Sequence, residues 1–348
     1  MIATSGPFKG LNPAVAATSL ALVAVFVAFG VLFTETAEAF FPVIRDLILA
    51  GFKWYYIGIV AFVLAFVVWL GFGRYKNVRL GGDDERPQFA YFSWLSMLFA
   101  AGMGIGLIFW GVAEPLSHFQ SNPFAPAGES SEATVTAMRL SFFHWGLSAW
   151  GVYALVGLTL AYFSYRRRLP LTIRSSLHPI VGEGINRWPG HVVDVLAVFG
   201  TAFGVATSLG LGVQQMATGL GRIAGTEVDL INQLLILAGV TGAATLSVVS
   251  GIRRGVRWLS NLNLVLSALF LGLFLVAGPT VYLLDLLVQA TGDYLQNLVG
   301  LSLWTNVNGD GVWQQDWTLF YWGWWIAWSP FVGMFIARIS RGRTLREF

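Results

Sequence analysis

Cysteine is absent from this 348-residue chain, and charge is scarce. Without cysteine the chain has no disulfide, no thiolate nucleophile and no Cys-ligated metal site. Charged residues make up 11% of the sequence, whereas soluble domains average about 25%. The net charge of +3 is too small to indicate nucleic-acid binding. The sequence carries no Ser/His/Asp arrangement, phosphate-binding loop or dinucleotide fingerprint, which argues against an enzyme or an ATP-driven pump.

Long apolar runs are present instead, and hydrophobic residues make up 56% of the chain. A run of roughly 20 apolar residues is long enough to cross a bilayer, and several such runs exclude a signal peptide or a single anchor. We therefore predict an all-α polytopic membrane protein with eight transmembrane helices. The predicted spans lie near residues 14–34, 54–73, 91–113, 138–164, 192–219, 229–250, 258–283 and 318–337.

Charge placement predicts the orientation of these spans. With a cytoplasmic amino terminus, the inside loops hold 17 of the 21 basic residues and the outside loops hold 12 of the 18 acidic residues. The positive-inside rule then predicts a multi-pass protein of the plasma (inner) membrane whose amino terminus is cytoplasmic. Residues 170–190, rich in proline, glycine and charge, predict a structured inside loop. Residues 291–317 predict an amphipathic external helix and loop.

A glycine run interrupts the third predicted span. Gly102, Gly104 and Gly106 alternate with apolar residues near mid-membrane, and each costs about 1 kcal/mol of helix propensity relative to alanine. One interpretation is close helix packing through Gly-xxx-Gly spacing. The other is a broken helix whose free carbonyls bind a cation and whose half-helix amino terminus faces an anionic substrate group.

Aromatic residues concentrate in the fourth and eighth spans. Trp145, Trp150 and Tyr153 would line one helix, with an interfacial aromatic belt as the alternative interpretation. Trp324, Trp325 and Trp328 follow helical spacing and are too many for a belt. A desolvated cation–π contact is worth about 2 kcal/mol, so such a wall would suit a quaternary ammonium ligand. Ser329-Pro330 then interrupts the hydrogen-bond ladder of the helix.

With these motifs in place, the chain resembles the betaine/carnitine/choline transporter family. The resemblance runs from about Tyr91 to Phe348 and is carried by MLFAAGMGIGLIFWGVAEP at 97–115 and WGWWIAWSPFVGM at 322–334. It implies a LeuT-like inverted-repeat transporter fold of twelve helices, eight of them present here. We therefore expect a carboxyl-terminally truncated member of the glycine betaine type.

The resemblance also implies a division of the chain. Residues 1–348 would form one transporter domain, or a fragment of it. The implied parts are two peripheral helices at 14–73, a first five-helix repeat at 91–283, the external segment at 291–317, and the first helix of the second repeat with an inside segment at 318–348.

The family's binding residues carry over to positions in this sequence. The resemblance implies an aromatic cage that holds the trimethylammonium group, with the glycine run facing the substrate carboxylate. It also implies sodium binding by main-chain carbonyls of the glycine run and by Thr201 with Phe331, although Val205 is apolar where a hydroxyl is expected. The implied substrate residues are Trp145, Trp150, Tyr153, Trp324, Trp325, Trp328, Gly102, Gly104 and Gly106, and the implied ion residues are Ala100, Met103, Thr201 and Phe331.

These residues together predict a sodium-coupled symporter for a quaternary ammonium osmolyte. Choline-type members carry Asp at the position of Gly106, so the resemblance favours a zwitterion such as glycine betaine. The alternatives are a sodium-independent carnitine/choline-type exchanger, a proton-coupled choline transporter and a non-transporting osmolyte-binding receptor. We expect no cofactor other than sodium as the coupling ion. The expected partners are the small-molecule substrate and the lipid bilayer, with no nucleic acid, and the family resemblance adds a homotrimer as one assembly.

A few polar residues near the outer surface have simpler interpretations. Glu114, before Pro115, is interpreted as a cap or packing residue of an outer hinge, with proton relay as the alternative. His144 is interpreted as a hydrogen-bonded side chain beside Trp145. His118, His178 and His191 show no ligand spacing with one another or with carboxylates, so we predict no transition-metal site.

Overall fold

A computed structural model describes residues 9–102, 104–125, 130–251 and 255–348. These residues form helices joined by loops, with an isolated antiparallel bridge between Arg79 and Thr344. The helices are α1 (Pro13–Leu32), α2 (Thr34–Phe72), α3 (Tyr91–Gly102), α4 (Ile105–Gln120), α5 (Ser131–Trp145), α6 (Leu147–Ala161), α7 (His178–Val181), α8 (Trp188–Ala224), α9 (Leu230–Val249), α10 (Arg257–Ala277), α11 (Thr280–Ser302), α12 (Val312–Gln314) and α13 (Phe320–Ile339).

The described residues contain six helical segments that are long and apolar enough to cross a membrane, or up to seven if α3 and α4 form one bent span. This confirms a polytopic all-helical protein, while the count of eight stays a prediction. The eighth predicted span does form a helix, α13, but its tryptophans keep its hydropathy low. The six segments are Pro13–Leu32, Thr34–Phe72, Ser131–Arg166, Trp188–Ala224, Leu230–Val249 and Arg257–Ala277.

Two helices have boundaries that the hydropathy pattern missed. The α2 helix has 39 residues, about 58 Å at 1.5 Å per residue, and it includes the polar segment before the second predicted span. A helix can continue beyond the apolar run that hydropathy detects. Pro42 lies inside α2 and does not end the helix. The predicted seventh span is divided at Gly278 and Pro279, so the amphipathic helix predicted from residue 291 already begins at Thr280.

The chain divides into two compact units. The first comprises the described residues of Met1–Gln88, Leu147–Gly204 and Val299–Phe348, and the second those of Phe89–Gly146 and Val205–Leu298. In the first unit, α6 packs along α13 and against α2. In the second, α4 packs on α5 and α3 packs on α10.

Two glycines set the approach of α6 to α13 in the first unit. A Cβ on Gly333 of α13 would lie 2.9 Å from Cβ of Val156 and 3.1 Å from the amide nitrogen of Gly157 on α6. A Cβ on Gly157 would lie 2.9 Å from the Phe348 ring and 3.4 Å from Ile336. Neither position has room for a side chain. The two helices therefore approach through small residues, a common contact in membrane helix pairs.

A cluster of phenylalanines joins α1, α2 and the first half of α8. The Phe26 ring lies 4.4 Å from Phe203 and 5.1 Å from Phe41, and Phe199 lies 4.5 Å from Phe203. The Phe26–Phe203 pair is edge-to-face and the other two are tilted, and aromatic pairs of these geometries are favourable beyond the area they bury. The peripheral helices are thus attached to α8 by aromatic packing.

The segment after α2 pairs with the segment after α13, and we call residues 76–88 and 341–346 together the strap. Four main-chain hydrogen bonds of 2.8–3.0 Å join its two sides, and Arg341 forms an ion pair with Glu85. Gly342 lies at φ +86°, where a side chain would be strained, and a Cβ there would lie 2.8 Å from the nitrogen of Pro87. The bonded main-chain pairs are Leu80 N–H to Arg343 O, Gly342 N–H to Leu80 O, Leu345 N–H to Val78 O and Arg346 N–H to Lys76 O.

The inside loop predicted at 170–190 forms short helical turns held to α8. The Arg174 guanidinium Nε lies 2.6 Å from Oδ2 of Asp194, and the Arg174 amide donates to Oδ1 of the same carboxylate. Both side chains are nearly buried. Removing one partner of a buried pair leaves the other charge uncompensated, so this pair keeps the loop in place.

Candidate substrate-binding site

Two aromatic side chains from different helices meet where α6 and α13 pack closely. The Tyr153 ring on α6 lies 6.0 Å from the Trp325 ring on α13, with the planes 75° apart. Each residue is 5% exposed. The glycine contact between Gly157 and Gly333 lies about one to two turns further along each helix, so the close approach of the helices brings these rings together.

Trp325 belongs to a stack of three rings on one face of α13. Its centroid lies 5.0 Å from Trp324 and 5.6 Å from Tyr321, with interplanar angles of 19° and 21°. Tyr321 is fully buried and also stacks on Trp324. Residues three and four positions apart share a helix face because of the helical repeat.

Trp150 extends the aromatic surface along α6. Its ring lies 5.9 Å from Tyr153 at an interplanar angle of 85°, and the residue is 37% exposed. Of the six aromatic residues predicted for the cage, the structure thus connects Trp150, Tyr153, Trp324 and Trp325 within one unit. Tyr153 meets the α13 stack edge-on.

Tyr153, Trp324 and Trp325 form an aromatic wall. A cation binds within about 6 Å of a ring centroid, so two rings on opposite sides of a trimethylammonium group stand roughly 9–12 Å apart. The centroids of Trp324 and Trp325 are 5.0 Å apart, which leaves no room for a guest between them. The space between Trp324 and Trp325 therefore cannot hold a quaternary ammonium group.

Trp328, one turn beyond Trp324, packs in a different place. Its ring lies 5.0 Å from Phe331, and a Cβ on Gly204 of α8 would overlap its ring carbons. Gly204 thus provides the flat surface on which this indole rests. Phe331 itself is 47% exposed on α13, and Thr201 is partly buried on α8.

The predicted break in the third span is present. The α3 helix ends at Gly102 and α4 begins at Ile105, with an angle of 58° across the break. Gly104 is extended, at φ −105° and ψ −179°, and its carbonyl accepts the amide of Leu107 at 3.1 Å. Ala100 lies in the last turn of α3 and Gly106 is buried in the first turn of α4, whereas Met103 lies outside the described residues.

Trp145, predicted as a cage residue, is held by a carboxylate in the second unit. Its indole Nε1 donates to Oε2 of Glu114 at 2.7 Å. The other oxygen of that carboxylate, Oε1, lies 2.6 Å from Nδ1 of His144 and 3.1 Å from Nε2 of His118. Glu114, His118 and His144 are all 0% exposed. The outer-hinge interpretation of Glu114 therefore missed a buried polar cluster, which we call the Glu114 cluster.

The same three side chains present ligand atoms within 4.8 Å of one another, close enough to consider a metal ion. Ligands of a tetrahedral zinc ion at about 2.0–2.2 Å from the metal stand roughly 3.3 Å apart. The 2.6 Å separation between His144 and Glu114 is instead a short hydrogen bond. The arrangement thus fits shared protons better than a shared metal, and the absence of a transition-metal site stays a prediction.

Sequence reasoning missed both the Glu114 cluster and Tyr321. The four-residue interval between Glu114 and His118 was a usable signal, since such residues lie on one helix face. His144 had none, because it comes from another helix 30 positions along the chain. Tyr321 stands four residues before Trp325, an interval that predicts their stacking.

Comparison with known proteins identifies the family. Residues 14–348 match the sequence pattern described as BCCT, betaine/carnitine/choline family transporter. The chain belongs to the BCCT family. BCCT proteins are transporters, which confirms the predicted resemblance and the prediction that the chain is not an enzyme.

Relatives in the BCCT family are similar along almost the whole chain. An uncharacterized transporter of Mycobacterium tuberculosis is 46% identical over 98% of this chain and 58% of its own length. A probable glycine betaine transporter of Desulfitobacterium hafniense is 44% identical over 95% and 66%, respectively. The high-affinity choline transport protein of Escherichia coli is 43% identical over 97% and 50%. The chain thus spans about half to two thirds of the length of these relatives.

Proposed function

We propose that this chain belongs to a sodium-coupled secondary transporter, a symporter, for a quaternary ammonium osmolyte such as glycine betaine. The observation that carries the proposal is the wall formed by Tyr153, Trp324 and Trp325, with Trp150 beside it. The BCCT relative named as a probable glycine betaine transporter supports the same substrate class.

The aromatic wall suits a cation that has no hydrogen-bond donor. A trimethylammonium group spreads its charge over methyl groups, so it binds to ring faces rather than to carboxylates. Two or three desolvated contacts of about 2 kcal/mol each give roughly 4–6 kcal/mol, equivalent to a dissociation constant between about 1 mM and tens of micromolar. This range suits a substrate that must be released after transport.

The coupling ion and the carboxylate end of the substrate are assigned to the glycine break. In our proposal, amide groups at the start of α4 face the carboxylate, and main-chain carbonyls of Ala100 and Met103 bind sodium. Unwound segments of transporter helices provide both kinds of group. Thr201 and Phe331 are the proposed second sodium position. Ion and substrate together then favour the conformation that binds them both.

The test is betaine binding and uptake by the purified chain in proteoliposomes, measured with inward sodium or potassium gradients. We expect saturable quenching of tryptophan fluorescence by betaine and accumulation that requires sodium. Trp325→Leu should abolish both, because it removes the ring that contacts α6. Trp54→Leu is the matched control, since Trp54 is 68% exposed on α2 and should leave both unchanged.

Several results would contradict the proposal. If betaine accumulated equally with a potassium gradient and with a sodium gradient, transport would not be coupled to sodium, and an exchanger would be favoured. Binding without flux would favour a receptor or show that the chain lacks parts needed for transport. Unchanged betaine binding in Trp325→Leu would exclude the wall as the binding surface.

Choline is a second candidate substrate, because one relative is named as a choline transport protein. Choline has the same trimethylammonium group but no carboxylate. If choline displaces bound betaine and is taken up at lower external concentrations than betaine is, choline is the substrate. Tighter binding of betaine would favour the zwitterion.

A further inference from the structure

The Glu114 cluster is a buried polar group that the proposed transport cycle does not use directly. Glu114 and His118 lie one turn apart on α4, and His144 and Trp145 are the last two residues of α5. The three ionisable side chains are fully buried. Buried charge is costly unless hydrogen bonds compensate it, so an arrangement like this one points to a defined task.

Each oxygen of the Glu114 carboxylate has a separate role in this cluster. Oε1 lies within hydrogen-bond distance of both imidazole rings, 2.6 Å from His144 and 3.1 Å from His118. Oε2 accepts a hydrogen bond from the indole N–H of Trp145 at 2.7 Å. An indole nitrogen is a donor only, and a carboxylate is the strongest acceptor that a side chain offers. The histidines thus hold Glu114, and Glu114 holds Trp145.

Trp145 lies at the joint between two helices. It is the last residue of α5, and the amide of Gly146 closes the helix on the carbonyl of Phe142. Gly146 interrupts the regular helix between α5 and α6 within the longer helical segment Ser131–Arg166. The outer torsion of an indole is broad, so rotamer preference alone does not fix the ring plane. A hydrogen bond at the indole edge does.

We propose that Glu114 is a positioning residue for substrate recognition, which orients Trp145 as a cage residue while His118 and His144 hold the carboxylate. This proposal rests on the proposed function and on the prediction from the sequence that Trp145 is one of the rings that contact the quaternary ammonium group. Glu114 acts through the indole and does not contact the substrate. It sets affinity by keeping the ring in its binding orientation.

The first experiment is independent of any ligand. The full chain is labelled with 5-fluorotryptophan and studied by 19F NMR in lipid nanodiscs, and Trp145→Phe assigns the Trp145 resonance. We expect Glu114→Ala and Glu114→Gln to shift or broaden that resonance, with the other tryptophan resonances unchanged. Glu132→Gln, an exposed carboxylate in the first turn of α5, is the matched control and should have no effect.

The second experiment asks whether Glu114 acts through Trp145. Betaine affinity is measured for wild type, Glu114→Ala, Trp145→Phe and the double variant. We expect Glu114→Ala to raise the dissociation constant about tenfold, as for a lost hydrogen bond to a charged group, with the maximal uptake rate retained. In the Trp145→Phe background, which keeps a ring but has no N–H, the same change should have less than about a twofold effect, because the two effects share one contact.

The outcomes separate this proposal from its alternatives. An unshifted Trp145 resonance in Glu114→Ala, or an equal loss of affinity in both backgrounds, would overturn it. If Glu114→Ala does not insert into the membrane, the near-isosteric Glu114→Gln decides the question by the same two readouts. Cobalt(II) absorption bands that disappear in His144→Ala would make the cluster a metal site and also overturn it. A shifted resonance without betaine binding by wild type would support the contact and refute the proposed function.

Discussion

Three tryptophans predicted for the cage are held by three different interactions. Trp145 is held at its edge by the Glu114 carboxylate, Trp325 by stacking with Trp324 and Tyr321, and Trp328 by packing on Gly204. A hydrogen bond directs one edge of a ring, whereas stacking and packing restrain its plane. Substitutions around these rings should therefore change ligand affinity in separable ways.

The contact beneath Trp328 gives a prediction for a single added methyl group. In Gly204→Ala the new Cβ would overlap the indole, so Trp328 must move. Overpacking of this kind costs about 1–3 kcal/mol, and we expect betaine affinity to fall at least about fivefold if Trp328 contacts the ligand. Isothermal titration of the purified variant measures this.

Gly210→Ala is the matched control for this change. Gly210 lies on the same helix, and no atom lies within 4 Å of the place that an added methyl group would occupy, so the affinity of this variant should equal that of wild type. Wild-type affinity in Gly204→Ala would show that Trp328 is not part of the binding surface.

At the scale of helices, the site depends on how closely α6 and α13 approach. Gly157 and Gly333 allow this approach, and Tyr153 and Trp325 meet on the same pair of helices. The distance between the backbones of α6 and α13 therefore determines how far apart the rings of Tyr153 and Trp325 lie. The pair of helices is thus as much a part of the site as its rings.

Gly333→Ala should weaken both stability and binding. Its Cβ would lie 2.9 Å from Val156 and 3.1 Å from the nitrogen of Gly157, and main-chain atoms cannot move aside as a flexible side chain can. We expect a lower unfolding temperature in detergent, followed by tryptophan fluorescence, together with weaker betaine quenching. Gly323→Ala on the same helix has open space around it and should behave as wild type. Equal unfolding temperatures for the two variants would contradict this account.

Much of the element structure could be predicted from the sequence, for local reasons. The break at Gly102 and Gly104 follows from helix propensity, and the ring contact of Trp150 with Tyr153 follows from their three-residue spacing on a helix. The continuation of α2 before its second apolar run could not be predicted. Hydropathy reports where a helix meets lipid and is silent about where it continues in water.

At the scale of the whole molecule, contacts between distant parts of the chain escaped prediction. The strap joins Leu80 to Arg343, and the Glu114 cluster joins α4 to α5 across 30 positions. Main-chain pairing has no residue signature, and a histidine's partner on another helix depends on tertiary packing. Both contacts depend on the three-dimensional arrangement of distant segments and cannot be derived from the local sequence.

The strap also predicts a pH dependence of stability. The Gly82 amide donates to Glu85 at 3.1 Å, and this hydrogen bond, together with the Arg341 pair, lowers the pKa of the Glu85 carboxyl. A carboxyl whose pKa is lower in the folded state stabilises the fold above its unfolded pKa, about 4.3. That contribution is lost as pH falls through the folded pKa.

The measurement is the unfolding temperature of wild type and Glu85→Gln as a function of pH. Glu85→Gln removes the titrating group, so the two curves should differ most near neutral pH and converge as the pH falls below the folded pKa. Asp84→Asn changes a neighbouring exposed carboxyl and should follow the wild-type curve. A constant difference between wild type and Glu85→Gln at all pH values would show that Glu85 contributes by packing alone.

The strap has a consequence for how this region can change by mutation. Its paired hydrogen bonds join main-chain amides and carbonyls, which every residue type except proline supplies in full. Substitutions at the exposed or half-buried positions Lys76, Val78, Arg79 and Arg346 can therefore accumulate while the pairing persists, with proline excluded at each donor, whereas Leu80 and Arg343 are buried and are also constrained by packing. Gly342 is different, because φ +86° and the nearby Pro87 nitrogen leave no space for a side chain. Position 342 should therefore resist replacement by any residue with a side chain, for a reason of backbone conformation and space.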